Sequence, residues 1–222
     1  MFLPKPHQKH NKKRIHTINN LSTRYDSTLI YNSIILTKNT TIMSQIQDDY
    51  PKQITIVPGY ENFMEGLMPI VNAGEINTEM GDKIRDYVLD YVKRTSLTGF
   101  NNYVDKGYSR NHIGRDESGW EAIVMTWKKG NRTSIHSHPQ YAGYTFADGC
   151  FQVEIFEPFK DGLKLVDTLT IDHQMGLYAI GDAGKFTNHI HRLTCLSETG
   201  HSLHVYSDNA LLGPKYDDLK IY

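Results

Sequence analysis

The chain has few cysteines, no long apolar run and no excess of charge of either sign. Its two cysteines, Cys150 and Cys195, are too few for a disulfide framework in 222 residues and suit a reducing compartment. No apolar run approaches the ~20 residues needed to cross a bilayer. The formal net charge of -1 argues against nucleic acid as the main partner. We therefore expect a cytoplasmic protein, monomeric, that acts on neither a membrane nor nucleic acid.

The first 42 residues differ in composition from the rest of the chain. They contain seven lysines and arginines but a single acid, Asp26. This segment lacks both a secretory apolar core of the usual length and a clear amphipathic arginine face. Two interpretations stay open for residues 1–42: a disordered basic leader, or an extension from a start codon assigned upstream of Met43. We predict that residues 43–222 form a single domain.

A helical pattern opens this domain. Five apolar residues recur at helical spacing and form one stripe: Ile84, Tyr87, Val88, Tyr91 and Val92. An earlier segment over residues 63–71 has a weaker helical pattern that Pro69 disturbs. The pattern predicts a helical lead-in at about residues 61–98, and we interpret its apolar stripe as core.

Short β-strand signals follow the helical lead-in. Phe151, Val153 and Ile155 alternate with polar residues, which is typical of a half-buried strand. Segments of similar character, bounded by Gly, Asp or Asn, occur at 122–127, 133–138, 142–146, 163–166, 168–171, 177–180 and 202–206. Many short strands at close spacing indicate an antiparallel sandwich or barrel. We predict a mainly β fold, a jelly-roll β-barrel, with the helical segment packed outside.

Two histidine pairs suggest a metal site. His136 and His138 are one residue apart, so on a strand both side chains leave the same face. Imidazole is the commonest protein ligand of iron, zinc, copper and nickel. A third ligand would come from His189 or His191, which strand geometry alone does not separate. The alternative is that these histidines face solvent.

Four segments resemble the cysteine dioxygenase family. Gly130 followed by His136-x-His138 and a later histidine is similar to the cupin pattern, and the family-specific stretches are Tyr-Ser-Arg-Asn at 108–111, Trp-x-x-Gly leading into Ile-His-x-His at 127–138, His-Arg at 191–192 and Ser-Leu-His-Val-Tyr-Ser at 202–207. The resemblance covers roughly residues 60–212. It implies a cupin-type jelly-roll barrel that holds Fe(II) and oxidises L-cysteine with O2 to cysteine sulfinic acid.

The resemblance also implies a role for each matching residue. His136, His138 and His191 would bind the iron, His191 being the closer family match because Arg192 follows it. Catalytic roles fall on Tyr206, His204 and Ser202, which alternate along one strand and can form a hydrogen-bond relay.

The resemblance further implies that Arg110 and Tyr108 bind the substrate. On its own, Arg110 is typical of a surface loop. The matching residues beside it favour a role in binding the substrate carboxylate.

The sequence departs from related proteins at Ala142 and Gly143. General cupins often place a glutamate ligand there, and neither Ala142 nor Gly143 can bind a metal. Three neutral imidazoles would leave Fe(II) its full double charge and favour an incoming anion such as a thiolate. The animal form of the family has a cysteine at one of these positions, cross-linked to the catalytic tyrosine. This chain resembles the bacterial form, and Tyr206 cannot form that cross-link.

Other functions stay open at this level. The substrate could be another small thiol such as 3-mercaptopropionate, although related 3-mercaptopropionate enzymes have glutamine in place of Arg110. A non-catalytic cupin, or a zinc or nickel cupin, is a further alternative because the fold hosts many chemistries.

Overall fold

The computed structural model describes residues 55–222; the predicted leader at 1–42 and its boundary at Met43 lie outside the described residues. The elements in chain order are β1 (Thr55–Ile56), α1 (Glu61–Val71), α2 (Thr78–Arg94), β2 (Ser109–Arg115), β3 (Glu121–Lys128), β4 (His136–His138), β5 (Tyr141–Asp148), β6 (Phe151–Phe159), β7 (Gly162–Ile171), β8 (Met175–Ile180), β9 (Asn188–Cys195), β10 (Thr199–Tyr206), a 3-10 turn (Ala210–Leu212) and β11 (Lys220–Ile221).

The strands form two sheets that face each other. The six-stranded sheet has the order β1-β2-β3-β10-β5-β8, and the five-stranded sheet has the order β11-β7-β6-β9-β4. All pairs are antiparallel except that of β11 with β7. Ile123 and Phe146 from the first sheet share one buried cluster with Val153 and Leu193 from the second. The predicted mainly β, jelly-roll fold is confirmed, as two facing sheets rather than a closed barrel.

The two helices pack on the outer face of the six-stranded sheet. Ile84, Val88 and Val92 of α2 are buried in one cluster with Tyr141 and Val205 of that sheet. Burial of each such aliphatic side chain contributes about 1.5–3 kcal/mol. The prediction that the helical segment packs outside the β structure is therefore confirmed. No helix in the described part of the chain is long and apolar enough to span a membrane.

The N-terminal end of α2 is fixed by a side-chain cap. Asn77 accepts a hydrogen bond from the Met80 amide at 3.0 Å, which satisfies one of the free N–H groups of the first turn. Lys93 and Arg94 lie in the last turn, where positive charge opposes the helix dipole. These signals explain why α2 begins and ends where it does.

The observed strands β7, β4 and β2 each differ from the sequence prediction in an informative way. The predicted strands at 163–166 and 168–171 are one strand, β7, with an irregularity at Val166: Ile155 pairs with Asp167 and Phe156 with Leu165. The predicted strand at 133–138 is regular only over its last three residues, in β4. The sequence does not predict β2, because its inward positions include the charged residue Arg110 and so lack a pattern of alternating apolar residues.

Candidate metal centre

Three predicted ligands meet where β4 pairs with β9. His136 lies directly opposite His191 in the ladder, and His138 follows two residues later on the same strand. One ring nitrogen from each of the three histidines lies within 4.8 Å of the other two. The ring centroids are 4.5–4.9 Å apart. The structure therefore brings His136, His138 and His191 together as a candidate metal centre.

The protonation and hydrogen bonds of these rings suit a metal. Burial holds the pKa of His138 and His191 well below the ordinary value and, aided by the charge of Arg110, lowers that of His136 to about 4. All three rings are therefore neutral near pH 7, the form that binds metals. The Nδ1–H groups of His136 and His138 donate to the carbonyls of Ser134 (2.9 Å) and His189 (3.3 Å). Nε2 of both rings is thereby left as the ligand atom.

An unsatisfied nitrogen supports the same assignment. Nε2 of His138 is buried and has no hydrogen-bond partner among the described residues. A buried polar atom without a partner costs about 1–3 kcal/mol, which a bound metal would remove. The three imidazoles are neutral, and among the described residues no carboxylate belongs to the cluster. The residues present therefore fit a divalent metal that keeps its full charge.

The structure places His189 and His191, the two candidates for the third ligand, in different surroundings. His189 has a left-handed backbone conformation, with φ of 51°, and its Nε2 lies 2.6 Å from the hydroxyl oxygen of Tyr144. Its ring is 4.7 Å from that of His191 but lies outside the cluster of three. His191 thus joins His136 and His138, while His189 lies beside them.

A hydrogen-bond relay runs along β10, the strand between β3 and β5. Trp127 Nε1–H donates to Ser202 Oγ at 2.9 Å, Ser202 Oγ and His204 Nε2 are 2.8 Å apart, and His204 Nδ1 and Tyr206 Oη are 2.8 Å apart. Ser202, His204 and Tyr206 are all buried. The structure brings the three predicted relay residues together. It also adds Trp127 to the relay, which the sequence identifies only as part of a family motif.

Trp127 fixes one end of the relay. Because indole N–H is a donor only, Ser202 Oγ accepts from Trp127 and has its own hydrogen free to donate to His204 Nε2. In the tautomer that accepts this hydrogen, His204 carries its own hydrogen on Nδ1 and donates it to Tyr206 Oη. With this tautomer, the hydroxyl hydrogen of Tyr206 is available to a group in the interior. The Tyr206 ring stacks on His138, with centroids 5.5 Å apart and planes at 9°.

Arg110 lies on the interior face of β2. It pairs with Met125, which in turn pairs with Ser202, so the three side chains form one row across the sheet. Its Nε and Nη2 atoms are buried and have no hydrogen-bond partner among the described residues. After burial, the positive charge of Arg110 is the next cause that lowers the pKa of His204. Arg110 therefore faces the relay and the histidine cluster with two unused donors.

Tyr108 is held against the relay by stacking. Its ring lies 4.6 Å from that of Trp127, with an interplanar angle of 26°. Burial and then the nearby hydroxyl of Tyr108 raise the pKa of Tyr206 well above the ordinary value, while Arg110 opposes them. Tyr108 thus belongs to the same interior group as Arg110, Trp127 and Tyr206.

A buried carboxyl group, Glu121, was missed by sequence reasoning. It is fully buried opposite Tyr206, and its Oε1 accepts from the Ala210 amide at 3.0 Å. Oε2 lies 3.7 Å from His112 Nδ1. Burial raises the pKa of Glu121 to about 8, so the group is largely protonated at neutral pH. No sequence signal identifies it, because Glu121 immediately precedes the predicted strand at 122–127 and a glutamate at such a position is typical of the surface.

Ala142, not Gly143, is the residue beside Tyr206. Ala142 pairs with Tyr206 and is buried in the interior cluster. Gly143 faces the other side of β5, where an added Cβ would lie 2.6 Å from the hydroxyl oxygen of Tyr141. The residue of β5 that faces Tyr206 is therefore alanine.

A C-terminal strap, residues 209–217, covers the free edge of β4. Ser137 donates its amide to the Pro214 carbonyl at 3.1 Å, and Tyr216 donates its amide to the Ile135 carbonyl at 2.8 Å. Gly213 packs so closely against the backbone of β4 that an added Cβ would be 1.8 Å from the Ser137 carbonyl oxygen. The strap therefore supplies hydrogen-bond partners for backbone groups along the outer edge of β4, the short strand that carries two of the three histidines.

Comparison with known proteins gives structural similarity only. No protein-family model matches the chain, and no curated protein matches it. The chain is similar to a double-stranded β-helix domain protein from Klebsiella pneumoniae (TM-score 0.42, 12% identity, 55% of this chain and 90% of that one). It is also similar to an RmlC-like cupin from Desulfovibrio desulfuricans (0.39, 12%, 51% and 95%) and to an oxalate oxidase (0.40, 12%, 51% and 58%). Similarity this low carries no information on activity, so the chemistry of the chain rests on the geometry of its own site.

Proposed function

We propose that this protein is an Fe(II)-dependent thiol dioxygenase that oxidises L-cysteine with O2 to cysteine sulfinic acid. In this reaction the thiol R–SH and one O2 give R–SO2H, so both oxygen atoms enter the product and no external reductant is consumed. The observation that carries the proposal is Arg110: a half-buried arginine, whose buried Nε and Nη2 donors have no partner among the described residues, faces a cluster of three neutral histidines.

The three histidines would hold the iron. Iron bound there would supply the redox chemistry that lets a thiol react with O2. With no carboxylate among the ligands, the ion keeps its double charge and favours an anionic substrate group, such as a thiolate, over a neutral one. The low pKa values of His136, His138 and His191 keep the three imidazoles available as ligands at neutral pH.

Arg110 would bind the carboxylate of the substrate. Buried donors without a partner are costly, and a carboxylate can accept two parallel hydrogen bonds from the Nε and Nη2 atoms of Arg110. L-Cysteine has a thiol group that would bind at the histidine cluster and a carboxylate that would bind Arg110. A charge-assisted hydrogen bond of this kind contributes about 1.5–3 kcal/mol.

Tyr206 would orient the reacting groups. Its hydroxyl is fixed by His204, and with the His204 hydrogen on Nδ1 the hydroxyl hydrogen of Tyr206 would be free to donate. Its ring stacks on that of His138, one of the proposed ligands. Since the pKa of Tyr206 is raised by burial, the group acts as a hydrogen-bond donor and not as an anion at neutral pH.

Oxygen uptake tests the proposal directly. Iron-loaded protein is supplied with L-cysteine, 3-mercaptopropionate or cysteamine, and kcat/KM is compared for the three thiols. We expect L-cysteine to give the highest value and labelled O2 to place both oxygen atoms in the sulfinate. Zinc- or nickel-loaded protein is the control and should be inactive.

Three outcomes would contradict the proposal. Absence of uptake with every thiol would leave a non-catalytic metal-binding protein. Activity with zinc or nickel would indicate different chemistry. A tenfold preference for 3-mercaptopropionate would keep the reaction but overturn the substrate.

A further inference from the structure

Tyr144 and His189 form a hydrogen-bonded pair beside the histidine cluster that the proposed reaction does not use. The Tyr144 side chain is 2% exposed and lies on the interior face of β5. Its hydroxyl oxygen is 2.6 Å from His189 Nε2. The Tyr144 ring packs against the edge of His191, with centroids 5.0 Å apart at 73°. The pair thus touches the metal centre without belonging to the cluster of three.

The backbone of His189 is strained. Among the described residues, only Lys160 and His189 are non-glycine residues with positive φ. Lys160 occupies the turn between β6 and β7, where this conformation is common. His189 lies inside the strand β9, where this conformation is unfavourable for a residue with a Cβ atom. Surrounding contacts must hold the residue in this conformation.

The strained residue His189 is part of a β-bulge in β9, and this bulge provides the hydrogen-bond acceptor for His138. His136 pairs with His191 and His138 pairs with Asn188, so β9 has three steps where β4 has two. The extra residue turns the His189 carbonyl toward His138, whose Nδ1–H donates to it at 3.3 Å. This hydrogen bond fixes the tautomer of His138 and leaves Nε2 for the metal.

We propose that Tyr144 and His189 are positioning residues of the metal centre. The Tyr144 hydroxyl holds the His189 ring, and thereby the bulge, in the conformation that presents the His189 carbonyl to His138. The inference rests on the metal centre of the proposed function and adds a support for one ligand. It requires no contact between either residue and the substrate.

Removal of the Tyr144 hydroxyl is the first test. Co(II) serves as the probe: its dissociation constant is measured by competition with a chelator, and its ligand-field absorption spectrum reports the geometry of the site. We expect Tyr144→Phe to bind Co(II) about 10- to 100-fold more weakly and with an altered spectrum, as is usual when the partner of a metal ligand is disturbed.

Tyr141→Phe is the matched control for this variant. Tyr141 lies on the same strand and is buried, but its hydroxyl has no hydrogen-bond partner among the described residues and faces the helices. Its Co(II) affinity and spectrum should equal those of the wild type. A loss as large as that of Tyr144→Phe would show a general effect of strand packing and overturn the proposal.

Substitutions of His189 separate backbone from side chain. His189→Asn should bind Co(II) more tightly than His189→Val, because Asn adopts left-handed φ more readily than other residues, although its side chain is too short to replace Nε2 beside Tyr144. His189→Val should lose as much as Tyr144→Phe, because a β-branched residue resists this conformation and offers no partner. His189→Gly keeps the carbonyl but not the anchor, so His189→Gly combined with Tyr144→Phe should bind no more weakly than either single variant.

Failure of this inference differs from failure of the proposed function. If the wild type binds no Co(II), the metal centre itself is wrong and the inference falls with it. If the wild type binds Co(II) and Tyr144→Phe binds it equally well with the same spectrum, only the positioning role is wrong. If His189→Asn loses the metal as completely as His191→Ala, His189 is itself a ligand and the proposal is overturned. Should Tyr144→Phe fail to fold, the Asn and Val variants of His189 still decide the question.

Discussion

His136 on β4 lies directly opposite His191 on β9, and this single cross-strand pair closes the histidine cluster. The two residues are far apart in the sequence, and directly opposed residues of antiparallel strands are separated by only about 4.5–5.5 Å. His138 joins them because it leaves the same side of the short strand as His136. The site is therefore a property of strand register as much as of residue type.

The first prediction concerns the metal ligands. Single changes of His136, His138 and His191 to Ala should each reduce the bound iron to a small fraction of the wild-type content, because each removes one of the three proposed ligand nitrogens. His173→Ala is the control, since His173 is exposed and lies outside the cluster. Metal analysis of the purified variants checks this. Full iron in His191→Ala would rule out the ligand set.

The second prediction concerns Arg110. Arg110→Gln should lower kcat/KM for L-cysteine about 10- to 100-fold, because one charge-assisted pair contributes about 1.5–3 kcal/mol. Cysteamine has no carboxylate, so its kcat/KM should change much less. Steady-state oxygen consumption with both thiols gives the comparison. An unchanged value for L-cysteine would mean that Arg110 does not bind the substrate.

The third prediction concerns Tyr206. Tyr206→Phe removes the hydroxyl at the end of the relay and should lower kcat about 100-fold, within the range of a positioned proton donor. Iron content should stay at the wild-type level because Tyr206 is not a ligand. Tyr103→Phe is the control, since the Tyr103 hydroxyl bonds His201 instead of the relay. A Tyr206→Phe enzyme of normal kcat would remove the relay from the mechanism.

The fourth prediction concerns pH and Glu121. The carboxyl group ionises near its ordinary value of 4.5 in the unfolded chain but holds its proton to about pH 8 when folded. The folded state therefore binds more protons across this window, and the free energy of unfolding contributed by Glu121 falls as the pH rises through it. Glu121→Gln keeps an acceptor for the Ala210 amide and cannot ionise.

Chemical denaturation at two pH values checks the Glu121 prediction. At pH 8.5 the free energy of unfolding of Glu121→Gln should exceed that of the wild type by about 1 kcal/mol or more, since one pKa unit corresponds to about 1.4 kcal/mol. At pH 5 the two proteins should be nearly equal. The same difference at both pH values would show that ionisation of Glu121 is not involved.

The fifth prediction concerns Gly213 in the strap. Gly213→Ala forces a methyl group against the Ser137 carbonyl and should lower both the free energy of unfolding and the affinity for metal, because the strap must move off β4. We expect a loss of about 1–3 kcal/mol in stability, as in other overpacked sites. Gly99→Ala, where an added Cβ meets no atom within 4 Å, is the control.

Much of the fold follows from local sequence patterns. The stripe of Ile84, Val88 and Val92 has helical spacing and becomes the buried face of α2. The alternation of Phe151, Val153 and Ile155 becomes β6, whose alternate residues face the core. These patterns are short-range because side-chain direction repeats every 3.6 residues in a helix and every two in a strand. The same rule places Ser202, His204 and Tyr206 on one face.

Other features depend on which strands meet and in what register. The sequence alone predicts a metal-binding pair at His136 and His138, but it cannot choose between His189 and His191. A bulge in β9 places the His191 ring in the cluster and the His189 ring beside it. Similarly, only the pairing of β5 with β10 shows that Ala142 faces Tyr206.

The residues that local patterns miss are those whose polarity is explained only across the interior. Arg110 and Glu121 are charged residues on inward positions of β2 and β3, which makes these positions look exposed in the sequence. Sequence periodicity determines which residues share one face of a strand. The tertiary structure decides what lies opposite that face, because the partners come from strands far away in the chain and their register is set by long-range hydrogen bonds.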